Sequence, residues 1–139
     1  MIDELFRQVA ARHRTRTAVR AWDGELTYDE LHRRVDRLAH RLRQAGTVEG
    51  AVVGVHLPRS AAAVVGLLAI LRAGAAYVAL DERYPPERRD AILRDAAVDL
   101  VLTTATGASA LPPGCRALVV ADTDADDGPA GSPTAPVGP

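Results

Sequence analysis

Hydrophobic positions at the start of the chain follow a helical period, and strand candidates come after them. The apolar residues of segment 2–12 recur at helical spacing, which predicts an amphipathic helix with one buried stripe. Segments 17–22 and 25–27 are predicted to pair as a hairpin. Asp23 and Gly24 lie between them and tolerate the positive backbone dihedrals of a tight turn.

A second, longer helix is predicted directly after the hairpin. Thr27 and Glu30 have the spacing of a capping box, in which each side chain bonds a free backbone amide at the helix start. Gly46 is placed to end the helix in the left-handed conformation. Five apolar residues are predicted to face inward: Leu31, Val35, Leu38, Ala39 and Leu42.

Two buried strands and a helix are predicted in the middle of the chain. Segment 51–57 is a short apolar run ended by Pro58, which is typical of a strand buried on both faces of a parallel sheet. Ser60 is placed to cap a helix that extends to Ala73 and is closed by Gly74. Segment 76–80 is predicted to be the next buried strand.

The same alternation continues to residue 120. Proline residues at 85 and 86 predict a helix that runs to about residue 96, and segments 99–104 and 116–120 are apolar strand candidates. Helices that alternate with strands predict the α/β class, with a mostly parallel sheet flanked by helices. We expect residues 1–121 to form this domain and residues 122–139, rich in Pro, Gly and Asp, to be a flexible tail.

Composition narrows the class of protein. Of 139 residues, 47% are hydrophobic and 25% charged, and the net charge is -1, which favours a soluble globular protein without a nucleic-acid partner. The apolar stretch 60–71 is too short to span a membrane, and no membrane partner is expected. Cys115 is the single cysteine, so a disulfide within the chain is excluded, and we expect a cytoplasmic location.

All 17 basic residues are arginines, and the chain contains no lysine. A phosphate-loop lysine, a Schiff-base lysine or an adenylating lysine is therefore excluded within these residues. The segment TTATGAS at 103–109 is the nearest mimic of a phosphate loop, since it follows a predicted strand end. A surface loop is the favoured interpretation, because a phosphate cradle needs several glycines.

The sequence offers no metal-binding or nucleophilic residue of recognisable pattern. The histidines lack metal-ligand spacing, Ser60 lacks a nucleophile elbow, and Cys115 has no activating neighbour apart from Arg116. We therefore expect no catalytic, cofactor-binding or metal site among these residues, and structural roles for the four histidines: His13, His32, His40 and His56.

Arginines cluster in the second predicted helix. The pairs Asp29 with Arg33 and Glu30 with Arg34 have the spacing of intrahelical ion pairs. Arg37 and Arg41 continue the same side of the helix, so a solvated surface is favoured over a binding site for RNA or an acidic membrane.

Two motifs resemble a known family. LTYDEL at 26–31 and LRAGAAYVALD at 71–81 resemble the first two core motifs of amino-acid adenylation domains in nonribosomal peptide synthetases. The resemblance covers about residues 2–104. The family usually has lysine where Arg72 stands, which we interpret as a mild surface change, and proline where Ala79 stands.

The resemblance implies the N-terminal part of the large subdomain of an adenylate-forming enzyme. In the family, the lysine-ended phosphate loop, the specificity pocket and the catalytic lysine lie further on, so no functional residue is carried over to this chain. The resemblance implies that the complete enzyme uses ATP and Mg²⁺. It also implies three partners: the remainder of the adenylation domain, a carrier domain with phosphopantetheine, and a small helper protein.

The favoured function is therefore the N-terminal segment of a domain for ATP-dependent amino-acid activation, inactive by itself. The start at Met1 suggests a loading module, a free-standing protein or a truncated product. Two alternatives remain at this point. The chain is either a non-catalytic interaction module that docks to a partner, or a fragment of an acyl-CoA or fatty-acyl-AMP ligase.

Overall fold

The computed structural model describes residues 2–120. The predicted tail at 122–139 lies outside these residues. The elements in chain order are α1 (Ile2–Arg12), β1 (Thr17–Ala21), β2 (Gly24–Thr27), α2 (Tyr28–Gln44), β3 (Val52–His56), α3 (Ala61–Arg72), β4 (Ala76–Ala79), α4 (Pro86–Asp95), β5 (Leu100–Thr103), α5 (Ala105–Ala108) and β6 (Arg116–Val119).

A four-stranded parallel sheet forms the centre of the described region, with strand order β4-β3-β5-β6. The hairpin β1-β2 is antiparallel and forms a sheet of its own. The predicted α/β class, with a parallel sheet flanked by helices, is confirmed. Parallel neighbours require crossover connections, and the helices between the strands supply them.

Helix α2 begins and ends where the local sequence signals lie. The Thr27 hydroxyl accepts from the Glu30 amide at 3.1 Å, and the Thr27 amide donates to the Glu30 carboxylate at 2.8 Å, so the predicted capping box is confirmed. Such a cap stabilises a helix by about 1 kcal/mol. After α2, Gly46 has a φ of 103°, a conformation that glycine adopts without a Cβ penalty.

Helix α3 is capped as predicted. The Ser60 hydroxyl accepts from the Ala63 amide at 3.0 Å, and Gly74 follows the helix with a φ of 85°. The serine therefore satisfies one of the amides that the first helical turn leaves without an intrahelical partner.

Two hydrophobic cores lie on opposite faces of the sheet. The large core packs α1, α2, α3 and the hairpin against one face, and it contains all five residues predicted to point inward from α2. The small core packs α4 against the other face, and its buried members are Leu80, Leu93, Val98 and Val101. Apolar burial of this kind is the main favourable term in folding.

Strand β4 was predicted to be buried, and that part of the prediction is wrong. The strand is present, but Ala76 and Ala79 are exposed and the Tyr77 side chain is 42% exposed. The cause is the strand order, because within residues 2–120 β4 pairs only with β3 and forms an edge of the sheet.

Arg72 was interpreted as a surface residue, and this interpretation is also wrong. Its side chain is 1% exposed and forms ion pairs with Asp3 at 2.8 Å and Asp36 at 2.6 Å. The guanidinium also lies 5.5 Å from the centre of the Phe6 ring. Because Asp3, Asp36 and Arg72 belong to α1, α2 and α3, this cluster joins three helices.

The arginine-rich side of α2 is only partly solvated. Arg33 is exposed and pairs with Asp29 at 2.8 Å, as predicted. Arg34 is buried, with 8% of its surface exposed, and Arg41 donates to the carbonyl of Val119 at 3.0 Å. The prediction of a uniformly solvated face is therefore wrong for Arg34 and Arg41, because the helix packs on more than one side.

Candidate functional site

The carboxyl ends of the parallel strands define the candidate site, since open α/β sheets bind ligands at that edge. We use the term carboxyl edge for the segments that end or follow β3, β4 and β5, namely residues 56–60, 80–85 and 103–115.

The hairpin is attached to the first of these segments. The Trp22 indole nitrogen donates to the carbonyl of Arg59 at 2.6 Å. The Asp23 carboxylate accepts from the Ala61 amide at 3.0 Å, at the start of α3. A carboxylate at this position also interacts favourably with the helix dipole. The tip of the hairpin therefore holds the segment between β3 and α3 in place.

The segment after β4 is organised by one ion pair. The Asp81 carboxylate accepts from the backbone amide of Arg83 at 2.8 Å and from two nitrogens of its guanidinium, at 2.8 and 3.1 Å. These hydrogen bonds hold the pKa of Asp81 well below its usual range and raise the pKa of Arg83. Both side chains are close to solvent, so we interpret the pair as a turn-stabilising contact.

The segment 103–109, predicted to be a surface loop, forms the short helix α5 instead. The Thr104 hydroxyl caps it by accepting from the Gly107 amide at 3.0 Å. The Gly107 amide is therefore already bonded, and Gly107 is the one glycine of a segment in which a phosphate cradle needs several. This segment does not fit a nucleotide phosphate.

Four residues of the carboxyl edge form a group that we call the polar niche, consisting of His56, Thr103, Thr104 and Gly107. His56 and Thr103 are register partners at the ends of β3 and β5. A Cβ atom at Gly107 would overlap the Thr103 hydroxyl and lie 3.5 Å from Nδ1 of His56. The niche was missed by the sequence analysis, although both His56 and the Thr103 segment close predicted strands.

The fold shifts the pKa of the His56 imidazole. Burial lowers the pKa of its imidazole, and the positive charge of Arg89 lowers it further, while the Glu82 carboxylate opposes the shift. Arg89 is itself buried, with its guanidinium donating to the carbonyl of Ala110 at 2.7 Å. His56 is therefore neutral at pH 7.

The other candidate residues have structural contacts. Ser60 is a helix cap, and His32 lies 3.4 Å from Asp36 on the next turn of α2. The thiol of Cys115 donates to the carbonyl of Val98 at 3.4 Å. Burial and the carboxylates of Asp90 and Asp99 raise the pKa of this thiol, which disfavours the reactive thiolate.

Metal ligands do not gather within residues 2–120: no group of three or more His, Cys, Asp or Glu side chains is arranged to hold an ion. Among the same residues, no helix has the length and apolar character needed to cross a membrane.

Comparison with known proteins identifies the fold and the family. A model described as AMP-binding enzyme matches residues 6–135. The chain is 42% identical over 123 residues to a linear gramicidin synthase protein of Brevibacillus parabrevis, covering 88% of this chain and 2% of that protein. It is 41% identical over 135 residues to phosphinothricin tripeptide synthetase PhsC of Streptomyces viridochromogenes, covering 94% of this chain and 12% of that protein.

Solved structures agree with these relatives. The nonribosomal peptide synthetase FmoA3, solved with α-methyl-L-serine-AMP bound, matches with a TM-score of 0.82 and 35% identity, over 90% of this chain and 14% of that one. The N-terminal subdomain of Klebsiella oxytoca NpsA matches with a TM-score of 0.78 and 21% identity, over 85% of this chain and 30% of that one. The chain belongs to the AMP-binding enzyme family, and it corresponds to the N-terminal part of the adenylation domain of nonribosomal peptide synthetases.

Proposed function

We propose that this chain supplies part of the scaffold of an amino-acid adenylation domain. The complete domain joins an amino-acid carboxylate to the α-phosphate of ATP, which releases pyrophosphate and leaves an aminoacyl-AMP. The observation that carries the proposal is the family match over residues 6–135, which includes all four strands of the parallel sheet. The chain spans 2% to 12% of the length of the two curated relatives, so the activity belongs to the larger assembly.

Within this proposal the chain contributes shape, and other residues of the complete enzyme contribute the chemistry. ATP and Mg²⁺ are the cofactors of that enzyme, but the residues at 103–109 do not fit a phosphate, because α5 uses its glycine amide internally. We therefore assign no chemical step to a residue of this chain. Its role is to hold the carboxyl edge of the sheet in a fixed position against the segments that bind nucleotide.

The partners follow from the same proposal. The remainder of the adenylation domain packs against this sheet, and a carrier domain with phosphopantetheine accepts the activated amino acid. A solved fusion of NpsA with ThdA, described as an adenylation-PCP di-domain, is an example of such an arrangement in a structural neighbour. We further propose a cytoplasmic location, a small helper protein as an additional partner, and a domain boundary near residue 121.

A segment exchange tests the scaffold role directly. Residues 2–120 of this chain replace the aligned segment in the adenylation domain of FmoA3, and pyrophosphate exchange is measured with each proteinogenic amino acid and with α-methyl-L-serine. We expect the hybrid to keep the amino-acid preference of the recipient. A matched hybrid with Leu38→Asp, which places a charge in the large core, is expected to lose exchange and folding together.

Two results would contradict the proposal. One is a hybrid that folds, as judged by circular dichroism and melting, but does not exchange pyrophosphate with any amino acid. The other is clear pyrophosphate exchange by the purified 139-residue chain alone, which would place the chemistry within these residues.

A second candidate function is docking to a separate partner without catalysis, and the exposed edge of the sheet favours it. Strand β4 carries no charged residue, proline or bulge to protect its unpaired side. Size-exclusion chromatography with binding of a hydrophobic dye tests this candidate. A compact monomer that does not bind the dye would count against it.

A further inference from the structure

One side of helix α2 lies beside strand β6 and carries three arginines. Arg34, Arg37 and Arg41 fall within about 60° of one another around the helix axis, because the helix has 3.6 residues per turn. We call these three residues the arginine row. The Arg41 guanidinium donates to the carbonyl of Val119 at 3.0 Å, at the end of β6. The chain therefore leaves β6 next to a group of positive charges.

Strand β6 runs in the direction opposite to α2. At its start, Arg116 donates to the carbonyl of Ala45, at the end of the helix, at 2.9 Å. Val119, three residues later in the strand, is contacted by Arg41, about one turn earlier in the helix. The far end of the arginine row lies about 11 Å beyond Arg41, and five extended residues span about 16 Å. Residues 120–124 are therefore long enough to pass the whole row.

Alternate residues of β6 point to opposite faces of the sheet, and those with even numbers face the side of α2. Leu118 and Val120 pack in the large core, whereas Cys115 packs against the small core on the other face. In an extended chain this alternation continues along the sequence. The next three even positions all carry a carboxylate: Asp122, Asp124 and Asp126.

We propose that residues 122–126, which we call the acidic segment, continue from β6 in an extended conformation and dock on the arginine row. The carboxylates at even positions face the guanidinium groups of α2. The occupant of this side of the helix is thus a segment of the same chain. Each surface ion pair contributes at most about 1 kcal/mol, so the contact depends on several pairs acting together and is sensitive to salt.

The acidic residues of α2 itself do not neutralise the arginine row. Asp29 pairs with Arg33, and Asp36 pairs with Arg72 of α3, on other sides of the helix. Glu30 is on the side of the row, and its carboxylate caps the start of the helix. The row and Glu30 together carry three positive charges and one negative charge. An acidic segment is therefore complementary to this side of α2 in charge.

Docking gives the chain a defined direction after β6. The strands of the central sheet are parallel and α2 runs opposite to β6, so the start of α2 lies toward the carboxyl edge. The acidic segment consequently leads the chain along α2 toward that edge. The tail predicted from composition then begins after residue 127, slightly beyond the boundary proposed above.

Backbone ¹⁵N relaxation of the full 139-residue chain at low salt tests the proposal. We expect order parameters above about 0.7 for residues 121–126 and below about 0.6 for the non-proline residues of 128–139. Sodium chloride at about 1 M, which screens charges beyond about 3 Å, should lower the first value below about 0.6.

Removal of the three carboxylates is the decisive change. The triple variant Asp122→Asn, Asp124→Asn and Asp126→Asn keeps the shape of the side chains, and its acidic segment should become as mobile as residues 128–139. The matched control combines Asp127→Asn, at an odd position, with Glu87→Gln and Asp95→Asn at exposed sites of α4. It changes the net charge equally and should keep the segment ordered.

A second pair of variants locates the contact on α2. Arg37→Gln, in the middle of the row, should lower the order parameters of the acidic segment. Arg33→Gln, which changes an exposed arginine paired with Asp29, should not.

Four results would overturn the proposal. They are a mobile acidic segment in the wild type, order that survives the triple variant, equal effects of Arg37→Gln and Arg33→Gln, and order that disappears on dilution. The last result would identify a second copy of the chain as the docking partner.

Discussion

The two faces of the central sheet differ in how they are covered. On one face, three helices and the hairpin enclose the large core, in which Leu38, Leu42 and Ile70 are 0% exposed. On the other face, α4 covers the small core, and polar residues such as Arg89 and Thr103 are buried beside it. The first face therefore buries a much larger apolar core than the second.

The difference has a functional meaning in the proposed assembly. The polar niche and the exposed strand β4 are parts of the sheet that lie outside the large core. In the proposed assembly, the remainder of the adenylation domain would contact the small-core face of the sheet and the edge strand β4. The large core would stabilise the scaffold on the opposite face. Substitutions on each side of the sheet test whether the two faces differ in this way.

The largest expected effect is a cavity in the large core. Leu38→Ala should lower the free energy of unfolding by about 4 kcal/mol, because a fully enclosed site cannot collapse around the missing atoms. Leu93→Ala in the small core should cost about 2 kcal/mol, since a thinner layer relaxes more easily. Urea unfolding measures both values. Equal losses, or a larger loss for Leu93→Ala, would remove the proposed difference between the faces.

The next effect concerns the ion pairs of Arg72 with Asp3 and Asp36, which join α1, α2 and α3. Arg72→Ala should cost about 3 kcal/mol, the lower end of the range for a broken buried ion pair, because Asp36 remains half exposed. Arg33→Ala is the control, since it breaks an exposed pair with Asp29 and should cost at most about 0.5 kcal/mol. Thermal unfolding of the two variants gives the comparison, and similar melting temperatures would contradict it.

Two glycines provide a matched test of the two faces. Gly107→Ala should cost about 2 kcal/mol, because the new methyl group would overlap the Thr103 hydroxyl. Gly66→Ala in α3 should change stability by less than about 0.5 kcal/mol, since alanine favours a helix and the nearest contact of its methyl group would be the end of the Leu102 side chain at 3.2 Å. Chemical denaturation that ranks Gly66→Ala as the worse substitution would contradict this prediction.

The smallest effect is a pH dependence that arises on the small-core side. The folded state lowers the pKa of His56 below its ordinary value of 6.5, so the unfolded state binds more protons as the pH falls through 6.5. Stability from this group is therefore full above pH 6.5 and decreases toward about pH 5. His56→Gln should flatten the slope between about pH 7.5 and 5. Identical slopes in urea unfolding for wild type and His56→Gln would exclude this contribution.

Local signals in the sequence were sufficient for the elements of the large-core side. The bounds of α2 follow from the capping box of Thr27 and Glu30 and from Gly46, and all of these signals act within a few residues. The inward face of the helix follows from its period. The fold class then follows from the alternation of strands and helices, which does not require knowledge of the strand order.

The features that the sequence did not reveal depend on distant contacts. Arg72 is buried because its partners Asp3 and Asp36 lie 69 and 36 residues away. The apolar strand β4 is exposed because it lies at an edge of the sheet. The polar niche exists because β3 and β5 are neighbours, which places His56 beside Thr103. A residue's own type and its near neighbours do not contain this information.

The attachment of the hairpin through Trp22 has a practical consequence for spectroscopy. Trp22 is the only tryptophan of the chain, and it is 70% exposed although its indole nitrogen donates to the carbonyl of Arg59. Its fluorescence therefore reports detachment of the hairpin from the loop after β3, and only indirectly the loss of either core. A fluorescence transition that precedes the far-ultraviolet dichroism transition would identify the hairpin as the first element to leave the native structure.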